Sequence, residues 1–143
     1  ELARVPVTVT TWGEWKTAHP DTMIIARGAG TGRESGPDPL AGRDDRGPIF
    51  PIGRRDPRLP VQEVVFGVIA PDGRAVAFPV AAAKEDLREG RRVVAGGVEL
   101  RLDAGGLAAR PVAGGPDLPG HQAFWFAWSQ FRPETLLWPT DAG

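Results

Sequence analysis

Apolar positions in this chain come in short groups separated by turn residues, and the groups change period along its length. Val5 to Val9 alternates valine with proline or threonine, which predicts a strand or an extended lead-in. Thr11, just before Trp12, then forms with Glu14 a T-x-x-E capping box, in which hydroxyl and carboxylate each satisfy an amide left unpaired at a helix start. The predicted helix places Trp12, Trp15 and Ala18 on one face, and Pro20 ends it by disfavouring helical backbone at His19. Thr22 to Ala26 is short and apolar, the pattern of a buried strand.

Farther along, Val61 to Ala70 and Arg74 to Val80 read as strands joined by the turn Pro71-Asp72-Gly73. Ala81 to Arg88 contains good helix formers and stops at Gly90. Arg91 to Ala95 and Val98 to Leu102 flank Gly96-Gly97 as a second hairpin, and a turn from Asp103 to Gly106 leads into Leu107 to Val112. Ala113 to Gly120 is expected to be a loop, followed by a second tryptophan-bearing helix and a last strand, Thr135 to Trp138. Antiparallel strands with helices toward the ends predict an α+β fold, with a mainly antiparallel sheet, two short tryptophan-bearing helices and a long Gly/Pro-rich loop.

That long loop covers residues 27–60 and has no periodicity of its own, whereas most connections run about 4–6 residues. It is expected to be functional or pinned by a partner, with Ile49, Phe50 and Ile52 tucked onto the core. Arginines including Arg54 and Arg55, interleaved with aspartates, would form a charged rim around them, as on a docking surface; the competing reading is an ordinary solvated loop. Asp38, Asp44 and Asp45 lack calcium-loop spacing, and Gly28 to Gly36 lacks the following helix that a dinucleotide fingerprint needs.

One pattern recurs. Residues 11–25 and 124–138 share the plan W-x-x-W-x-x-(apolar)-x-P-(acid)-T-(apolar run), with Trp12 matching Trp125, Trp15 matching Trp128, Pro20 matching Pro133, Asp21 matching Glu134 and Thr22 matching Thr135. The simplest explanation is two copies of one helix-turn-strand unit. Large aromatics bury roughly 150–250 Å² each, so both helices are expected to feed the core. The functional reading of the same residues is an aromatic pocket between the copies, lined by Trp12, Trp15, His19, Trp125 and Trp128, with Asp21 and Glu134 near its mouth.

Composition narrows the chemistry. The chain has 143 residues, enough for one domain spanning residues 1–143. Seventeen basic residues against 18 acidic ones leave no electrostatic footprint for nucleic acid or an anionic membrane surface. The absence of cysteine removes disulfides, thiol catalysis and cysteine-held metal centres. The two histidines, His19 and His121, lack the spacing of a zinc site or an evident catalytic partner, and His19 is matched by Arg132 in the second copy. Neither a catalytic residue, a metal ligand nor a cofactor is assigned. No apolar run approaches the roughly 20 residues that span a bilayer, so no transmembrane segment is expected, and the start at Glu1 suggests a processed product or part of a longer polypeptide.

The phrases TTWGEWKTAHPDTMII, RLPVQEVVFGV, GRAVAFPVAA, VVAGGVELRL and FWFAWSQFRPETLL, in that order, resemble the C-terminal half of the bacterial and archaeal domain of unknown function family 3179 over nearly the whole chain. The resemblance implies a cell-envelope or periplasmic, peripheral location and carries no activity with it. This chain lacks the cysteine-containing half of that family, and DPLAG at Asp38 to Gly42 stands where relatives have D-P-Y-x-G-Y. Scaffold retained while polar embellishments are lost favours a non-catalytic, protein-binding accessory subunit of an envelope or membrane-associated complex. A ligand-binding or enzymatic domain built on the aromatic pocket is the alternative.

Overall fold

Turn chemistry sets most of the strands. The computed structural model describes residues 4–25 and 51–141. Within them α1 spans Trp12–Ala18, β1 Val64–Ile69, β2 Ala75–Pro79, α2 Val80–Arg88, β3 Val93–Ala95, β4 Val98–Asp103, β5 Gly106–Pro111, β6 Gly120–Phe124, α3 Trp125–Phe131 and β7 Leu136–Leu137. Gly73 takes φ +87° in the β1–β2 turn, where the Gly73 amide donates to the Ala70 carbonyl at 2.9 Å. Gly96 and Gly97, at φ +53° and +75°, form the two-residue turn that joins β3 to β4. Positive φ at both central positions gives the hairpin its right-handed twist at little steric cost, because glycine has no Cβ.

The strands form two sheets rather than the single one expected. One has the order β6-β1-β2-β7 and the other β3-β4-β5. All neighbours are antiparallel except β2 and β7, which run parallel with Val76 opposite Leu136 and Ala77 opposite Leu137. The fold is therefore α+β and dominated by antiparallel pairing. β6 was missed by the sequence pattern, since GHQAF has little β-branched character and its strand state depends on pairing with β1.

Alternation along β1 and β2 sends side chains to both faces of the four-stranded sheet. Phe66, Val68, Val76 and Phe78 join Ala83 of α2 and Val93, Val98, Leu100 and Leu107 of the second sheet in the larger core. Val65, Ala77 and Leu137 face the other way and pack with Trp125 and Trp128 of α3. Gly67 makes that contact possible, because a Cβ there would lie 2.3 Å from the Trp128 ring.

The loop residues Ile49 and Phe50 lie outside the described residues, as do Asp38, Asp44, Asp45 and Gly28 to Gly36. Ile52 is half-buried, and the segment after it is held by Arg58. Arg58 pairs with Asp56 at 2.7 Å and with Asp141 at 3.3 Å, donates to the Thr135 carbonyl at 3.0 Å, and lies 5.3 Å from the Trp125 ring centre. Arg58 thereby links the chain before β1 to Trp125 at the start of α3 and to Thr135 just before β7.

Candidate functional site

The two copies of the tryptophan phrase adopt the same local geometry. At the end of α1 the His19 amide donates to the Trp15 carbonyl at 2.8 Å, the Thr22 amide to the His19 carbonyl at 3.1 Å, and Trp15 Nε1 to Thr22 Oγ1 at 3.0 Å. At the end of α3 the Arg132 amide donates to the Trp128 carbonyl at 2.9 Å, the Thr135 amide to the Arg132 carbonyl at 3.0 Å, and Trp128 Nε1 to Thr135 Oγ1 at 2.9 Å. Even the terminating residues agree, His19 at φ −132°, ψ 71° and Arg132 at φ −136°, ψ 66°. Seven-residue spacing from tryptophan to threonine thus specifies one turn: the indole N–H closes back over it onto the threonine hydroxyl.

The copies differ in what covers them. Trp125 is 1% exposed and Leu137 2%, whereas Trp12 is 47% exposed, Met23 94% and Ile25 83%. α1 buries none of its residues. Thr22 to Ile25 forms no strand and is exposed throughout, which corrects the buried strand expected at Thr22 to Ala26. The expectation that both tryptophan helices feed the core is corrected in the same way, since only α3 does. The physical reason is pairing: β7 lies beside β2, with the Trp138 amide donating to the Ala77 carbonyl at 3.0 Å, while Met23 to Ile25 pairs with no described strand.

Polar contacts fix the first copy to the rest of the domain without using its apolar face. Thr8 Oγ1 donates to Asp103 at 2.9 Å, Thr10 Oγ1 donates to the Ala104 carbonyl, and Glu14 faces Arg88 at 3.5 Å. Gly105, at φ +77°, admits the Glu14 carboxylate, which would lie 2.3 Å from a Cβ at that position. The predicted capping box is present, with the Glu14 amide donating to Thr11 Oγ1 at 3.3 Å and the Thr11 amide to Glu14 Oε2 at 3.4 Å. Hydrogen bonds from Thr11 and then Thr10 hold the Glu14 carboxyl below its ordinary pKa.

Neither of two grooves on the surface is lined by tryptophans of both phrases. A groove of about 540 Å³ is lined by Trp128, His121, Gly67, Val7, Phe131 and Arg132, without Trp12, Trp15, His19 or Trp125. A second cavity, about 750 Å³, is lined by Arg54, Arg55, Arg58, Glu134, Thr135 and Asp141, without any of those tryptophans. Arg54 and Arg55 are exposed on it and make no ion pair among the described residues. Each histidine lies against an indole: His19 is 4.1 Å from Trp15 between ring centres, and His121 meets Trp128 edge-on at 5.4 Å. Both contacts are packing arrangements, the first on the surface and the second beside the core.

Among the described residues no group of three or more His, Asp and Glu side chains is placed to hold a metal ion. Nor is any helix there long and apolar enough to cross a membrane.

The apolar pattern marks Met23-Ile24-Ile25 for burial and gives no sign that this row is exposed. Among the described residues the second phrase packs on the four-stranded sheet and the first packs on none. Comparison with curated proteins and with solved structures found no match in either case. A family model does match, over residues 1–110. That range takes in the first tryptophan phrase and both hairpins but stops short of Phe124 to Trp138, so the resemblance read over nearly the whole chain is narrowed to its N-terminal part. On a match of that extent, the chain belongs to the family described as Protein of unknown function (DUF3179).

Proposed function

We propose that this protein is a non-catalytic, protein-binding module, an accessory or peripheral subunit of a membrane-associated complex of the cell envelope. The observation that carries the reading is the apolar row Met23-Ile24-Ile25, exposed like the half-exposed Trp12 of the same phrase. Contiguous exposed apolar surface is a mark of an interaction site in a folded domain. The turn that holds this row is closed by the Trp15–Thr22 hydrogen bond and is anchored through Thr8, Thr10 and Glu14. An aromatic flank and polar surroundings match the anatomy of interfaces, in which aromatics concentrate at the centre and charge at the rim. The envelope location is the one implied by the family resemblance.

Residues of the long loop, Ile52 with Arg54 and Arg55 in particular, supply a second contact region in this reading. Affinity purification of the tagged chain from membrane fractions tests both. A stoichiometric protein partner is expected, lost on Met23→Asp or Ile25→Asp and retained on Arg74→Asp, with Ile52→Asp reporting the loop's share. Recovery of the chain alone, or a partner indifferent to Met23 and Ile25, contradicts the proposal.

A further inference from the structure

The second copy of the repeat, as the structure holds it, describes what the first copy lacks. α3 and β7 clasp the β1–β2 hairpin: β7 pairs in parallel with β2, and Trp125 and Trp128 lie over the hairpin face formed by Val65, Gly67 and Ala77. The chain entering the hairpin supplies the remaining contacts, with the Trp125 amide donating to the Glu63 carbonyl at 2.7 Å and Trp125 Nε1 to the Asp56 carbonyl at 3.0 Å. In the first phrase the corresponding positions are filled and the turn is closed by the same hydrogen bonds, while Thr22 to Ile25 pairs with no described strand. Trp12 and Trp15 stand for Trp125 and Trp128, Thr22 for Thr135, and Met23-Ile24-Ile25 for Leu136-Leu137-Trp138.

We propose that α1 and Met23–Ile25 form a receptor for an antiparallel β-hairpin of another polypeptide, seated as β1–β2 is seated under α3 and β7. This deepens the protein-binding reading above and rests on it. Its partner has a stated chemistry. It presents an edge strand to which Met23–Ile25 adds in parallel, an apolar face for Trp12, and glycine beneath Trp15, as Gly67 lies beneath Trp128. Strand addition supplies main-chain hydrogen bonds, and the tryptophan-faced surface supplies selectivity. A second copy of this chain is not the occupant, because its own β1–β2 hairpin is already enclosed on both edges by β6 and β7.

The test uses the full chain and a synthetic peptide of its own residues 56–80, cyclised so that the hairpin is formed before mixing. Hydrogen exchange is followed residue by residue. The peptide is expected to slow the Ile25 amide, the counterpart of Trp138, by at least about tenfold at saturation. Replacing Gly67 by valine in the peptide, or Trp15 by alanine in the chain, is expected to weaken binding about tenfold or more, as loss of a central aromatic contact does. Unchanged exchange at Met23 to Ile25 with the folded peptide overturns the proposal. So does equal binding of the valine peptide, or protection of Met23 to Ile25 already present in the free chain. The purification experiment is independent: a partner that needs Met23 yet crosslinks through a helix leaves the protein-binding reading standing and removes the hairpin.

Discussion

Trp128 donates its indole N–H to Thr135 in the interior at 2.9 Å, and Trp15 makes the same bond to Thr22 at the surface at 3.0 Å. Geometry is shared and environment is not. Removing the acceptor in the interior leaves a buried donor unsatisfied, which costs about 1–3 kcal/mol, whereas a donor at the surface turns to water. Thr135→Val is therefore expected to lower unfolding stability by about 1–3 kcal/mol and Thr22→Val by less than about 0.5 kcal/mol, measured by denaturant titration.

Gly67 is the contact point between sheet and helix. A Cβ at this position would meet the Trp128 ring at 2.3 Å, too close for the tryptophan to keep its place. Gly67→Ala is expected to destabilise by about 1–3 kcal/mol, in the range for overpacked cores. Near-ultraviolet circular dichroism should change with it as the Trp128 environment is rearranged.

Asp56 and Arg58 make the domain acid-sensitive in a direction that can be stated. The hydrogen bond from Arg58 holds the Asp56 carboxyl below its ordinary value of 3.8 against the opposing effect of burial. Such a group stabilises the fold at pH above its unfolded value, and that contribution disappears as pH falls through the folded value. Asp72, Asp86 and Glu99 are depressed by their own arginine partners and share the trend. Asp56→Asn is expected to be less stable than wild type at neutral pH, and the difference should shrink between about pH 5 and pH 2. A constant difference across that interval would remove the Asp56–Arg58 pair from the acid response.

Arg58 also ties the chain before β1 to α3 and β7. Its guanidinium lies over Trp125 at 5.3 Å while bonding the Thr135 carbonyl. Cation–π contacts contribute about 0.5–2 kcal/mol depending on desolvation, so Arg58→Ala is expected to cost at least that and to red-shift tryptophan emission. Arg58→Lys should restore only part, since lysine cannot bond Asp56 and Thr135 from one planar fork.

Both hairpins and α2 were legible in the sequence because their turns carry explicit chemistry at Gly73, Gly90, Gly96 and Gly97. The capping box at Thr11 and Glu14 was legible for the same reason, its two hydrogen bonds being local. Burial was harder to read. Trp12 and Trp125 sit in the same phrase, yet which one is covered depends on where β1–β2 lies, and that is settled by long-range pairing. The apolar run after Thr22 reads as a buried strand, yet Met23 to Ile25 is exposed and pairs with no described strand. β6 was lost because GHQAF lacks the valine and isoleucine that mark β1, and the division into two sheets has no local signature.

The most direct measurement is site-specific photocrosslinking from position 24, with position 74 as the control, in cells that make the full chain. One defined protein adduct is expected from position 24, abolished by Ile25→Asp, and none from position 74. No adduct at position 24, or the same adducts from both positions, would contradict the claim that the exposed row after α1 is a docking face.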